Sequence, residues 1–200
     1  MEIKRLIVGL LETNCYIITE NYTACVVDPG ADCDRIFAEI EGNRLDKIVL
    51  THGHFDHFMA AFELKNKTGA KIYISEEDAP MLSDYRKSLY DMLMVGDNGF
   101  IKAEADCFLG ESIDLCGSTF EVLKTPGHSK GSVCLLCDNI LFSGDTLFQR
   151  SIGRYDHGSY DEIMHSLWEL MLLDDDILVL PGHGNTTTIG RERNENPFLA

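Results

Sequence analysis

The chain is short of positive charge: 17 Lys and Arg stand against 33 Asp and Glu, a formal net charge of -16. So acidic a surface repels phosphate backbones, and the basic residues are scattered rather than gathered into a patch, which argues against nucleic acid as a partner. Also missing is any apolar run near the roughly 18 residues that a membrane span needs, so no membrane partner is expected. No secretory leader is legible: Lys4 and Arg5 precede an apolar stretch, but Glu12 and Asn14 end it early. A second Cys-x-x-Cys is absent too. Cys134 and Cys137 stand alone at that spacing, the total of seven cysteines is odd, and Cys15, Cys25 and Cys134 sit in apolar runs where thiols pack as small hydrophobes. A disulfide framework is thereby disfavoured, and a cytoplasmic enzyme with reduced cysteines is the expectation.

What is present points to chemistry at one place. Two hundred residues, 44% hydrophobic and 25% charged, suit one globular domain over residues 1–200 with a sizeable core. Within it, Thr51-His52-Gly53-His54-Phe55-Asp56-His57 packs three histidines and an aspartate into seven residues, directly after the apolar run Lys47-Ile48-Val49-Leu50. A β-branched run of that length reads as a buried strand, so the cluster falls where a rigid strand ends and an open turn begins. Imidazole nitrogen and carboxylate oxygen suit zinc, iron or manganese. Three further strand-like runs end in the same device, a ligand flanked by glycine or a small residue that lets backbone approach an ion closely. They are Gly127-His128 after Thr119–Leu123, Gly144-Asp145 after Asn139–Phe142, and Gly182-His183 after Ile177–Leu180.

Around these ligands the pattern predicts strands over Ile3–Val8, Cys15–Thr19, Ala24–Val27 and Ala70–Ile74. Helical spacing covers Asp34–Glu41, Phe58–Lys67, Glu76–Leu82 and Tyr160–Leu173, the last with Ile163, Leu167, Leu170 and Met171 inward and His165 and Trp168 without a catalytic role. Hairpins are expected over Cys107–Leu115 and Thr119–Phe142. Residues Ser83–Gly99, with Tyr85, Tyr90, Met92, Leu93 and Met94, read as irregular, either covering the core edge or lining a substrate groove.

The ordered set His52, His54, Asp56, His57, His128, Asp145, His183 resembles the signature of the metallo-β-lactamase superfamily, and within it the glyoxalase II-like (hydroxyacylglutathione hydrolase-like) enzymes. The likeness covers essentially the whole chain. It implies an α/β (α+β) fold, a four-layer αβ/βα sandwich of two mixed sheets with outer helices and the metal site along one edge. It also implies that His52, His54 and His128 hold one metal, Asp56, His57 and His183 a second, and that Asp145 bridges them, Asp56 being the catalytic carboxylate as well. The cofactor implied is one or two divalent ions, zinc foremost, with iron or manganese accepted by the same ligands. His157 lies outside this set. Asp28 reads either as a turn cap or as a carboxylate behind the ligands, and Arg154 either as an anchor for a substrate carboxylate or as the partner of a structural acid.

A water shared by two such ions ionises near neutral pH and can attack an ester or thioester carbonyl. A thiolate leaves without help from an acid, which favours a small acyl thioester over an amide. The same signature also serves mononuclear-iron persulfide dioxygenases, phosphodiesterases and nucleases, and would fit a metal-bound module without turnover. Glyoxalase II proper continues past its last histidine into a helical domain that supplies basic residues for glutathione. Here seventeen residues follow His183, and Asn185 replaces the family's tyrosine two positions on, so the chain resembles the compact members that lack that domain. Oligomeric state leaves no mark in the sequence.

Overall fold

The computed structural model describes residues 1–93, 96–156 and 158–199. The first sheet runs, in spatial order, β1 (Glu2–Val8), β2 (Thr13–Glu20), β3 (Thr23–Val27), β4 (Arg44–Val49), β5 (Lys71–Ile74) and β6 (Cys107–Phe108). Strands β1 to β3 are antiparallel and β3 to β6 parallel. The second sheet comprises β7 (Ser112–Leu115), β8 (Ser118–Lys124), β9 (Val133–Cys137) and β10 (Ile140–Gly144). After a small hairpin of β11 (Leu147–Phe148) and β12 (Ser151–Ile152), it gains β13 (Leu178–Pro181) and β14 (Thr187–Thr188). Only β10 and β13 pair in parallel there, so both sheets are mixed.

Alternation of side chains along the strands builds the layers. Tyr16, Ile18, Val27 and Val49 of the first sheet meet Leu115, Phe120, Leu135 and Phe142 of the second in a shared core. Their neighbours Ile17, Val26 and Ile48 point the other way, onto Ile36 of α1 (Cys33–Glu39) and Leu64 of a helix over Ala61–Thr68. Leu141 and Val179 likewise point outward from the second sheet, onto Ile163 and Leu167 of the helix Tyr160–Leu170 and Ile189 of the helix Ile189–Glu195. The order is therefore helix, sheet, sheet, helix, as the resemblance implied. Each fully buried aliphatic or aromatic side chain contributes about 1.5–3 kcal/mol. The three apolar layers thus fix the frame on which a polar site can be tolerated. No helix among the described residues is long and apolar enough to cross a membrane.

Four elements differ from the sequence reading. The helix expected over Phe58–Lys67 is two helices, α2 (Phe55–Phe58) and α3 (Ala61–Thr68), because the Ala60 amide donates to Pro29 O rather than to the preceding turn. Asp56 and His57 therefore lie inside α2, with His54 as its N-cap, rather than ahead of a helix. Cys107–Leu115 is no hairpin: β6 closes the edge of the first sheet, held by Leu109 N on Ile74 O, and the chain then crosses to start the second sheet at β7. Glu76–Leu82 shrinks to a 3-10 turn over Ala79–Ser83, since Asp78 points its carboxylate at other loops. Of α4 (Tyr160–Leu170) and α5 (Ile189–Glu195), only the first was foreseen; α5 is capped by Thr188, whose hydroxyl accepts from Arg191 N, and its Gly190 and charged face hid it. Met94 and His157 lie outside the described residues. Cys134 and Cys137 face opposite sides of β9 and cannot act as a pair.

Candidate metal centre

The segments that leave β4, β8, β10 and β13 at their C-terminal ends, α2 included, carry all seven predicted ligands, and the two sheets bring those ends to one edge. His52, His54 and His128 form one group, His52, His57 and Asp145 a second, and Asp56, His57 and His183 a third; within each, the ligand atoms lie within 4.8 Å of one another. His54 Nδ1 lies 2.8 Å from His128 Nε2. Asp145 reaches across the cluster: Oδ1 is 3.4 Å from His57 Nε2, and Oδ2 is 3.5 Å from His128 Nε2 and 3.6 Å from His183 Nε2. Asp56 Oδ2 is 3.2 Å from His183 Nε2 and accepts a hydrogen bond from Thr13 Oγ1 at 3.1 Å.

Four of the five rings are held from behind at the other nitrogen. His57 Nδ1 meets Asp28 Oδ2 at 3.0 Å, His128 Nδ1 donates to Arg154 O at 2.7 Å, and His183 Nδ1 donates to Leu11 O at 3.0 Å. His52 Nδ1 faces the Thr51 hydroxyl at 3.1 Å. These contacts leave the four Nε2 atoms turned inward, which is the arrangement that fixes tautomer and aim in metal-binding histidines. Asp28 also accepts from Thr51 N at 2.8 Å and Thr51 Oγ1 at 2.7 Å, so of its two readings the carboxylate behind the ligands is the one the fold uses.

Two glycines make the convergence sterically possible. A Cβ on Gly182 would stand 2.2 Å from Asp145 Oδ1 and 2.8 Å from His57 Cε1, and one on Gly30 would stand 1.6 Å from Asp56 O. Gly182→Ala is expected to lower metal content at least about tenfold in affinity, the scale of a disturbed ligand environment. Elemental analysis beside circular dichroism checks this; an alanine variant with wild-type metal content would refute the close-approach argument.

The electrostatics select for a cation. Burial, then the neighbouring imidazoles, holds His52 well below the usual histidine range, and burial with His128 holds His54 down to about 3, so both keep free lone pairs. For His57, burial opposes a charge, but Asp56, Asp145 and Asp28 outweigh it and carry the group well above its usual value. Burial likewise works against the Asp145 carboxylate, yet His57 and the other rings hold it well below the usual carboxylate range. Three carboxylates thus pull positive charge to the cluster, where His52 and His54 present neutral nitrogen donors. His52 Nε2, His57 Nε2 and Asp145 Oδ1 are buried with no hydrogen-bond partner among the described residues. Such atoms cost about 1–3 kcal/mol each when unsatisfied. A divalent ion satisfies them all, and the donor set fits one.

One buried carboxylate went unnoticed in the sequence. Asp78 accepts from Gly53 N at 3.0 Å and Ser129 Oγ at 2.6 Å, and from Gly131 N at 2.8 Å, so it ties the His52–His54 loop to the His128 loop. Its only signal was an acid just past the strand Ala70–Ile74, indistinguishable from a turn residue.

Five of the seven, His54, Asp56, His128, Asp145 and His183, form the floor of a cavity of about 350 Å³, whose other walls include Leu11, Phe55, Leu89, Met92, Leu93 and Phe148. Part of the irregular segment thus lines a groove, while Tyr90 is buried against Phe55 and Phe100. Arg154 and Asp156 also line the cavity, the guanidinium paired with the carboxylate at 3.1 Å (Nε) and 2.5 Å (Nη2). A second cavity of about 620 Å³ adjoins, sharing Leu11, Phe55, Asp56 and Leu93.

Two mixed sheets between outer helices, with an imidazole and carboxylate cluster at one edge, define a metal-binding αβ/βα sandwich. Residues 8–183 match the metallo-beta-lactamase superfamily, and the chain belongs to it. It is 36% identical over 215 residues to hydroxyacylglutathione hydrolase GloC of Haemophilus influenzae, covering 100% of this chain and 98% of that one. Among solved structures it is similar to the B3 metallo-beta-lactamase BLEG-1, with a TM-score of 0.92, 32% identity and 99% of each chain covered. It is also similar to TTHA1623 in a di-iron-bound form, with a TM-score of 0.84, 32% identity, and 98% of this chain and 100% of that one covered.

Proposed function

We propose that the protein is a metal-dependent hydrolase of small acyl thioesters, of the hydroxyacylglutathione hydrolase type. The observation that carries this reading is the convergence of seven candidate ligands, three of them with buried atoms that lack a hydrogen-bond partner among the described residues, five of the seven lining an open cavity. His52, His54 and His128 would hold one divalent ion, Asp56, His57 and His183 a second, with Asp145 between them. When bound, such ions supply Lewis acidity, which lowers the pKa of a water and polarises a carbonyl. Zinc fits this donor set, and iron or manganese fits it too. The relative solved in a di-iron-bound form keeps iron among the candidates.

The chain's own residues do the rest. Asp56, steadied by Thr13 through Oδ2, presents its carboxylate to the cavity and orients the attacking water there. The apolar walls exclude bulk water and strengthen every charge interaction at the floor. Among the described lining residues the carboxylates are Asp56 and Asp145, within the ligand set, and Asp156, held by Arg154; no lysine, tyrosine or cysteine lines the cavity. A leaving group that needs protonation is poorly served there. A thiolate, whose parent thiol has a pKa of about 8.5, needs none. The acyl group fits the smaller cavity and the thiol carrier the adjoining one.

Arg154 is the one cation on the cavity wall among the described residues, and it would exchange Asp156 for a carboxylate on the substrate. Arg154→Ala is expected to raise KM about tenfold for a carboxylate-bearing thioester while leaving kcat within about twofold, the pattern of lost uniform binding. An unchanged KM would remove Arg154 from the binding site. The reaction class is tested with metal-loaded protein on matched acyl thioesters, oxygen esters and amides, starting with S-lactoylglutathione. Preference for thioesters is expected. No thioester hydrolysis, coupled with oxygen uptake on a persulfide, would instead support a dioxygenase.

A further inference from the structure

The cysteine spacing that stands out in the sequence joins nothing, but the fold brings two other cysteines together. Cys25, in the middle of β3, faces the core between the sheets, and Cys116 opens the turn from β7 to β8. They are 91 residues apart in sequence, yet the Cys116 thiol donates to Cys25 Sγ at 3.5 Å. The same Cys116 thiol is 3.4 Å from Ile18 O and 3.5 Å from Thr23 O, so it is seated over the hairpin of β2 and β3. Cys116 holds a left-handed backbone, φ 56°, which strains a residue with a side chain and aims this one at the opposite sheet. Beside it the flank is open: a Cβ on Gly117 would meet nothing within 4 Å.

We propose that Cys25 and Cys116 form a redox site, at which a low-molecular-weight disulfide converts the two thiols to a disulfide that staples the first sheet to the second. In the first step the Cys116 thiolate attacks the reagent, forming a mixed disulfide and releasing one reagent thiolate. In the second, the Cys25 thiolate attacks Cys116 Sγ and expels the other. Two protein S–H bonds and one reagent S–S bond are lost, one protein S–S bond and two reagent thiols are gained, and the protons pass to the leaving thiolates. The contact with Cys25, then burial, pushes the Cys116 thiol up, so the first attack speeds as pH rises; once the mixed disulfide has formed, Cys25 Sγ already lies against Cys116 Sγ for the resolving step. Closure to a bonded distance of about 2.05 Å needs a shift of about 1.5 Å, within reach of side-chain rotation.

The bond would form far from the metal centre. Cys116 sits by Thr23, where β3 begins, whereas the ligand loops leave the opposite ends of the parallel strands. Turnover at 25 °C should therefore stay within about twofold, while cross-linking across so long a loop raises Tm by about 10 °C. The test treats the metal-loaded full chain with oxidised glutathione, counts free thiols, maps disulfide-linked peptides and records Tm. Expected are loss of two of the seven thiols, a Cys25–Cys116 peptide, and a higher Tm that dithiothreitol reverses. Cys116→Ser should lose both the linked peptide and the shift, and Cys137→Ser should keep them. Seven surviving thiols, linkage through other cysteines, mixed disulfides alone, or a cross-link without a gain in Tm would overturn the proposal.

Discussion

Asp145→Asn is expected to lower kcat/KM for a thioester by about a thousandfold or more, equivalent to about 4 kcal/mol of transition-state stabilisation. The size follows from position. Asp145 is the carboxylate that touches His57, His128 and His183 at once, at 3.4 to 3.6 Å. Removing its charge takes away the group that would join both ions and leaves a buried amide among rings aimed at a cation. Metal per chain should fall with the rate. Elemental analysis and steady-state kinetics on the same preparation check the claim, and a variant that keeps both metal and rate would separate Asp145 from the centre.

The second large effect is on stability. Stripping metal from the folded protein should lower Tm by about 10 °C or more. A ligand present at about a thousand times its Kd stabilises by about 4 kcal/mol, and a chain of this size shifts by about 2–4 °C per kcal/mol. The physical source is visible in the three buried atoms, on His52, His57 and Asp145, that have no hydrogen-bond partner among the described residues. Melting curves with chelator, and again after zinc is restored, should show a reversible shift. Coincident curves would mean that the cluster tolerates its own desolvation.

The candidate ligands stood out because the pattern is local: His-x-His-x-Asp-His places four donors in one turn, and each later candidate follows an apolar strand with a glycine beside it. The four layers were legible only through the resemblance, since periodicity gives strands but not which ends meet. What stayed hidden depends on contacts between distant segments. Ala60 breaks a helix because its amide finds Pro29 O, and Asp78 ties the His52–His54 loop, 25 residues before it, to Ser129, 51 residues after it. Cys25 read as a buried hydrophobe, which it is; its partner Cys116 could not be seen from the sequence because only the stacking of the sheets joins them.

The measurement closest to the central claim is hydrolysis of S-lactoylglutathione by stripped protein during titration with zinc. The account predicts no turnover at the start, a rise with added metal, and saturation by two ions per chain. Full activity in the stripped protein, or none at any loading, would contradict it.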